Sequence, residues 1–330
     1  MILNYLGSKH SLLPYIDHII KPLIDKNTVF CDLFQGSGCV SNHYKHLVSK
    51  IITCDTELYS YVLGYALMKC LFSKKLEQII YSINYTKSKR RGLIWKFFSN
   101  KHLYFRDDNA QRIDYIRIYI NELYQNNSIS YDEFMFLLAS LLKSASKYAN
   151  TTGTFRAHLK QLSKKADKHF VFIPIHTDYA CITHEHNIVH KNDAIRIIPH
   201  INPDIIYIDP PYNTVHYGAY YSFLNYLCLY DQNVTLTGPG IIQDYYKSKF
   251  GFKKYAESQF TNLFKTVRAK YVILSYSSNA VLSIKNIVNI INTFSNPKTI
   301  VIYKVKYKKY QSHNMIKSSH VYEYFLKIEY

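Results

Sequence analysis

Val29-Phe30-Cys31-Asp32-Leu33-Phe34-Gln35-Gly36-Ser37-Gly38 runs an apolar strand directly into a glycine turn. A helical stretch follows, and then a second strand, Ile51-Ile52-Thr53-Cys54, which ends at Asp55. Strand, glycine turn, helix and strand in that order open a doubly wound, mostly parallel sheet of the α/β class. Upstream, Leu12, Leu13, Ile16, Ile19, Ile20, Leu23 and Ile24 share one helical face, which predicts a helix with Ser11 as its N-cap and Pro14 in its first turn. Downstream, strand patterns recur at Asn187–His190, Ile205–Ile208 and Tyr271–Tyr276. Two further apolar runs, Thr299–Tyr307 and Val321–Ile328, flank the polar stretch Gln311–Ser319 and predict an antiparallel hairpin at the sheet edge.

Between the second and third strands the alternation stops. Residues 61–165 read as helical and basic, with Phe134, Leu137, Leu138, Leu141 and Leu142 marking one amphipathic helix near Asp132. This span holds 18 Lys and Arg against 7 Asp and Glu, a net +11 of the chain's +18. The expected organisation is therefore a catalytic domain of residues 1–60 and 166–330, interrupted by a basic recognition insertion, 61–165. An AT-rich genome inflates Lys, Ile, Tyr and Asn, and the 33 tyrosines reflect such a bias. That bias does not lower Asp and Glu, so the charge points to a polyanionic partner. No apolar run reaches the roughly 18 residues of a membrane span. The N-terminus lacks a basic region followed by an apolar stretch, so the expectation is an intracellular protein. The six cysteines contain no CxxC pair and read as reduced core thiols. His184-Glu185-His186 has no matching pair of ligands elsewhere, and no metal is expected.

The sharpest chemical signal is Ile208-Asp209-Pro210-Pro211-Tyr212. An exocyclic amine conjugated to an aromatic base is a poor nucleophile because its lone pair is delocalised into the ring. Two fixed acceptors, the Asp209 carboxylate and the Pro210 carbonyl, can grip its two hydrogens and turn that lone pair out of the ring plane. The prolines stiffen the loop, and Tyr212 can stack on an extruded base. The reaction read from this loop is direct displacement at a sulfonium methyl. No Pro-Cys dipeptide supplies the nucleophile typical of carbon-5 cytosine chemistry. Gly36 and Gly38 let the backbone approach a ligand at the strand's carboxyl end, and Asp55 can take both ribose hydroxyls. NAD-binding folds use the same geometry, and Asp209 is what separates the two cofactors. Asp193, after the third strand, can accept from the cofactor's adenine amine; a solvated turn is the competing reading.

These residues together resemble a Dam-like, alpha-class N6-adenine DNA methyltransferase of the restriction–modification kind. The resemblance rests on Tyr5-Leu6-Gly7-Ser8-Lys9, Asp32–Gly38, Asp209–Tyr212 and Glu323-Tyr324-Phe325-Leu326, in the family's order. It covers most of the chain, least well over 61–130. It implies the S-adenosylmethionine-dependent methyltransferase fold, with S-adenosylmethionine as cofactor and double-stranded DNA, its adenine flipped out, as substrate. By resemblance, Tyr5, Lys9, Asp32, Phe34, Gly36, Gly38, Asp55, Asp193 and Asp209 bind the cofactor, and Asp209, Pro210 and Tyr212 are catalytic. Lys9 is placed near the cofactor carboxylate or the DNA. Gln35 departs from relatives that often carry a small or apolar residue there. The segment Ser146–Lys160 resembles a DNA-contacting stretch, which makes Asn150, Thr151, Thr152, Arg156 and Lys160 candidate contacts, with Asn213 and Tyr217 guiding the flipped strand. Ordinary helix caps and core packing are the competing readings for these residues. The resemblance further implies a cytoplasmic protein of a bacterium or phage, a monomer or weak dimer, accompanied by a separate cognate endonuclease. Three rivals remain at this point: cytosine N4 methylation, which more often has Ser in place of Asp209; an RNA adenine methyltransferase, with Asn and a single Pro; and a catalytically silent DNA-binding paralogue.

Overall fold

The computed structural model describes residues 3, 5–177, 186–308 and 320–330. Nine strands are present among these: β1 Val29–Asp32, β2 Lys50–Asp55, β3 Ile188–Lys191, β4 Ile205–Ile208, β5 Leu236–Thr237, β6 Ile241–Ile242, β7 Tyr271–Ser277, β8 Thr299–Lys308 and β9 His320–Glu329. Seven of them form one sheet in the order β3-β2-β1-β4-β7-β9-β8. The pairs β2–β3, β1–β2, β1–β4 and β4–β7 are parallel, whereas β9 runs antiparallel to both β7 and β8. The doubly wound sheet and its C-terminal antiparallel edge are therefore both present. The predicted Gln311–Ser319 connection, Cys181 and His184-Glu185 lie outside the described residues.

Alternation along the strands divides the core in two. Phe30, Ile51, Ile205, Tyr207, Ile273 and Phe325 face one layer, and Cys31, Ile52, Ile206, Ile208, Val272, Leu274 and Leu326 face the other. The first layer contains helices α1 Leu13–Ile20, α2 Cys39–Tyr44, α3 Leu58–Lys69, α4 Lys74–Thr86, α5 Leu93–Trp95, α6 Asp107–Gln125 and α7 Tyr131–Tyr148. The second is covered by α8 Ala194–Ile197; α9 Tyr217–Tyr220 and α10 Ser222–Leu229 return to the first, and α11 Lys253–Thr266 and α12 Ile284–Phe294 complete the second.

Several local expectations are refined. Ser11 is not an N-cap: the chain turns through a 3-10 segment, Lys9–Leu12, before α1, and no side chain caps either start. The helix ends at Ile20 in another 3-10 turn, Lys21–Leu23, where Pro22 supplies no N–H. The helix over 131–148 begins at Ser130 with a full capping box to Glu133. Residue 61 falls inside α3, most of whose apolar residues are buried between the sheet and α7, with Leu58, Tyr61 and Tyr65 partly exposed. The apolar cluster is continuous from the sheet through α3 to α6 and α7.

Charged residues on α6 hold this layer together. Arg112 donates to the carbonyls of Ile83 and Ser88 at the end of α4, and Arg117 donates to Leu227 and Cys228 at the end of α10. Asp114 accepts from the N–H groups of Gly92, Ile94 and Trp95 at the start of α5. A cation at a helix C-terminus and an anion at an N-terminus satisfy orphan backbone groups and complement the helix dipole.

Candidate active site

The carboxyl ends of β1, β2, β3 and β4 open into a cleft, at the place where open α/β sheets bind ligands. The N-terminal motif forms one wall, with Tyr5, Gly7, Ser8 and Lys9; the turn after β1 forms the floor. Gly36 and Gly38 have φ of +54° and +73°. A Cβ on Gly36 would lie 3.0 Å from the Tyr5 ring, so the glycine leaves backbone where a side chain would fill the cleft. The Gly36 N–H donates to Asp55 at 2.8 Å, and the other Asp55 oxygen accepts from Glu57 N–H at 2.9 Å. Gln35 points out of the cleft. Its amide donates to the Ser60 carbonyl at 2.6 Å, and it lies over Gly64, where a Cβ would come within 2.0 Å of its oxygen. A large polar residue is tolerated at 35 because α3 makes room for it.

The far end of the cleft is partly apolar. Phe34 meets Phe250 edge-on at 5.3 Å. Asp193 uses one oxygen to cap α8 through Ile195 N–H at 2.9 Å, and the other accepts from the Tyr246 hydroxyl. Carboxylates dominate the charged lining, Asp32, Asp55, Glu57, Asp193 and Asp209 against Lys9, in a chain of net charge +18. Burial pushes Asp32 up to about 7, with Asp209 and Asp55 adding to the shift against Ser41, whose N–H binds the Asp32 carboxylate. Burial likewise pushes Glu57 up to about 7, against a 2.6 Å hydrogen bond from Asn225. Asp55 is also raised, by burial.

At the end of β4, Lys9 Nζ lies 2.7 Å from each Asp209 oxygen and 3.5 Å from Glu323 Oε1. Lys9 is thus held by carboxylates, a more specific position than the cofactor-or-DNA placement expected from the sequence. Burial raises Asp209 to about 6, with Lys9 pulling it down and Glu323 pushing it up. Burial works against the Lys9 charge, yet Asp209 and Glu323 outweigh it and hold its pKa well above the usual value. Pro210 is buried. Tyr212 packs edge-on to Tyr276 at 6.2 Å, and its carbonyl accepts from Val281. Tyr5 stacks on Tyr221 at 4.8 Å and on Tyr217 at 5.5 Å. The Tyr217 hydroxyl donates to the Leu6 carbonyl, and Tyr221 accepts from Leu6 N–H at 2.6 Å. The N-terminal motif and the segment after Asp209 are thereby clamped together.

The basic loop reaches this region through α9: Phe155 N–H donates to the Tyr220 carbonyl at 2.6 Å, and Arg156 reaches the Tyr220 hydroxyl at 3.1 Å. Thr152, Arg156 and Lys160 are exposed. Asn150 and Thr151 are buried. The Asn150 amide donates to the carbonyls of Leu103, Leu159 and Gln161, and its oxygen accepts from Ser163, so its side chain organises the loop from inside. Asn213 lies beside the cleft, with its side chain accepting from Val215 N–H. Glu57, Tyr246 and Glu323 enter the site without having been assigned to it from sequence. Glu57 was signalled only by its place two residues past Asp55, and Tyr246 by nothing local.

Residues 5–304 match the D12 class N6 adenine-specific DNA methyltransferase family. The chain belongs to that class. It is similar to the type II methyltransferase M.NlaIII of Neisseria lactamica, with 34% identity over 302 residues and 88% of each chain covered. Similarity to the type II methyltransferase M.CviAII of Paramecium bursaria Chlorella virus 1 is 35% over 314 residues, covering 93% of each. Against the type II methyltransferase M.FokI of Planomicrobium okeanokoites identity is 30%, and 99% of this chain spans 52% of that protein. This methyltransferase acts on adenine in DNA and takes its methyl group from S-adenosylmethionine. Adenine N6, rather than cytosine N4 or RNA adenine, is the class target. The cleft fits the cofactor: a glycine cradle accepts close approach, the aromatic pair Phe34 and Phe250 offers a wall for a nucleobase, and the carboxylates suit a ligand with sulfonium and ammonium charges. Among the described residues no helix is long and apolar enough to cross a membrane, and the five described cysteines are free thiols.

Proposed function

We propose that Asp209 and the Pro210 carbonyl receive the two hydrogens of the target amine, with Tyr212 against the base. The observation that carries this reading is that Asp209 lines the same cleft as Gly36 and Asp55. The bound cofactor supplies an electrophilic methyl group. Asp209 orients the amine and stabilises the positive charge that develops on nitrogen, and proton release then goes through its carboxylate to solvent. Gly36 and Gly38 seat the cofactor's backbone-facing edge, Asp55 binds its ribose, and Phe34 and Asp193 border its adenine. Tyr5 and Asp32 complete the cofactor wall. Lys9 tunes Asp209.

The substrate is duplex DNA with its adenine everted into the cleft. Residues 61–165 act as the recognition part on a catalytic body of 1–60 and 166–330. Arg156, Lys160 and Thr152 contact DNA from the exposed side of the loop, and Asn213 and Tyr217 line the path of the flipped strand. Asn150 and Thr151 support the loop from within. The type II names of the relatives support a role in restriction–modification, in the cytoplasm of a bacterium or an infected cell, as a monomer or weak dimer with a separate endonuclease as counterpart. The deciding experiment is Asp209→Ala. It should lose at least about a hundredfold in methyl transfer while retaining cofactor binding by calorimetry; an active variant removes Asp209 from its role.

A further inference from the structure

Glu323 is an inner-strand residue. It pairs with Ser277 of β7 on one side and Val305 of β8 on the other, so its backbone has little freedom. Its side chain is 1% exposed. A buried carboxylate is costly unless it is hydrogen-bonded and compensated by charge. Here the compensation consists of the Ser275 hydroxyl, donating at 2.5 Å, and Lys9, at 3.5 Å. The ammonium therefore serves two acids unequally, close to Asp209 and distant from Glu323.

That asymmetry matters for the reaction. Lys9 Nζ contacts both Asp209 oxygens, and a carboxylate compensated in this way is a weaker acceptor for an incoming amine. Lys9 begins a 3-10 turn and carries a four-carbon stem, whereas Glu323 is fixed in the sheet. A movement of roughly 1 Å would bring the ammonium within hydrogen-bond range of Glu323. Resting on the role proposed for Asp209, we propose that Glu323 is a positioning residue that draws the Lys9 ammonium aside when the target amine arrives, freeing an Asp209 oxygen to accept it. The ion pair with Asp209 then belongs to the enzyme before the base enters, and the pair with Glu323 to the enzyme after it. Tyr207, Tyr212, Tyr217 and Cys39 are further titratable groups around Lys9, and none of them is a carboxylate.

Two variants shift the balance in opposite directions. Glu323→Gln removes the competing anion, so Lys9 stays on Asp209. We expect kcat to fall about tenfold, equivalent to about 1.4 kcal/mol, cofactor affinity by calorimetry to stay within about twofold, and the acid limb of the kcat–pH profile to move to lower pH. Ser275→Ala leaves Glu323 with Lys9 alone and pulls the ammonium away from Asp209. Here kcat should be largely kept, with the acid limb moving to higher pH. In a Lys9→Met background, Glu323→Gln should cost nothing further, because the two act through one contact. Wild-type kcat with an unmoved acid limb in Glu323→Gln, equal losses in both backgrounds, or limbs that move the same way in the two variants would overturn the proposal. An active Asp209→Ala would instead overturn the reading on which it rests.

Discussion

Gly251 lies so close to the carbonyl of Asn213 that a Cβ at 251 would stand 2.0 Å from that oxygen. The loop that follows Asp209 is thus seated against the segment that closes the cofactor cleft, and the contact is backbone on backbone. Phe250, the residue before, packs on Phe34, so one segment touches both the loop beyond Asp209 and the apolar cleft wall.

Gly251→Ala is accordingly expected to displace the 210–216 loop. Overpacking of this kind costs about 1–3 kcal/mol, and displacement of a reacting group by about 1 Å can cost up to a hundredfold in rate. We expect kcat/KM for methyl transfer to fall at least about tenfold with only a modest loss of melting temperature. Unchanged kinetics would show that the loop repacks freely.

The pH dependence of turnover should follow Asp209. Its carboxyl is pushed up to about 6 by burial, against the pull of Lys9. Above that pH the group is an anion and an acceptor; below it the group is protonated and the amine loses its partner. The kcat/KM for methyl transfer should therefore fall by about tenfold per pH unit below about 6. A rate that stays flat down to pH 5 would contradict this assignment.

The cleft carboxyls should also link cofactor binding to protons. Asp32 and Glu57 are raised to about 7 by burial. A raised acid holds its proton more tightly in the folded chain than in the unfolded one, so its contribution to stability is present at low pH and lost as pH rises through about 7. A cationic ligand reverses the preference and expels protons. Calorimetry of S-adenosylmethionine binding at pH 6.5, in buffers of different ionisation enthalpy, should report net proton release, reduced in Glu57→Gln. The unliganded Glu57→Gln protein should gain stability relative to wild type between pH 6 and pH 8; a shrinking difference would contradict the burial of an acid at 57.

Asn150 and Arg156 should separate folding from DNA contact. Asn150→Ala orphans buried backbone groups that each cost about 1–3 kcal/mol when unpaired, so it should lower the melting temperature by several degrees. Arg156→Ala, on the exposed side of the same loop, should leave the melting temperature unchanged, weaken DNA binding and reduce the slope of log affinity against log salt by about one. A stability loss in Arg156→Ala with an unchanged salt slope would remove it from the DNA face.

The succession of the sheet's strands along the chain, the glycine turn and the edge hairpin were legible in the sequence because each depends on neighbours a few residues apart. Alternating burial writes a strand, glycine permits the positive φ of 36 and 38, and an acid closes each of β1 and β2. The Asp209 loop was legible for the same reason, as its stiffness and its acceptors are consecutive residues. What only the tertiary structure decided are the partners that meet across long separations. Lys9 is joined to Asp209 and Glu323, Asp193 is joined to Tyr246, and Arg112 and Arg117 are turned inward as helix caps instead of outward to a polyanion. Composition counts a charge wherever it lies. Whether that charge meets solvent, a helix end or another buried charge depends on packing, which no local pattern records.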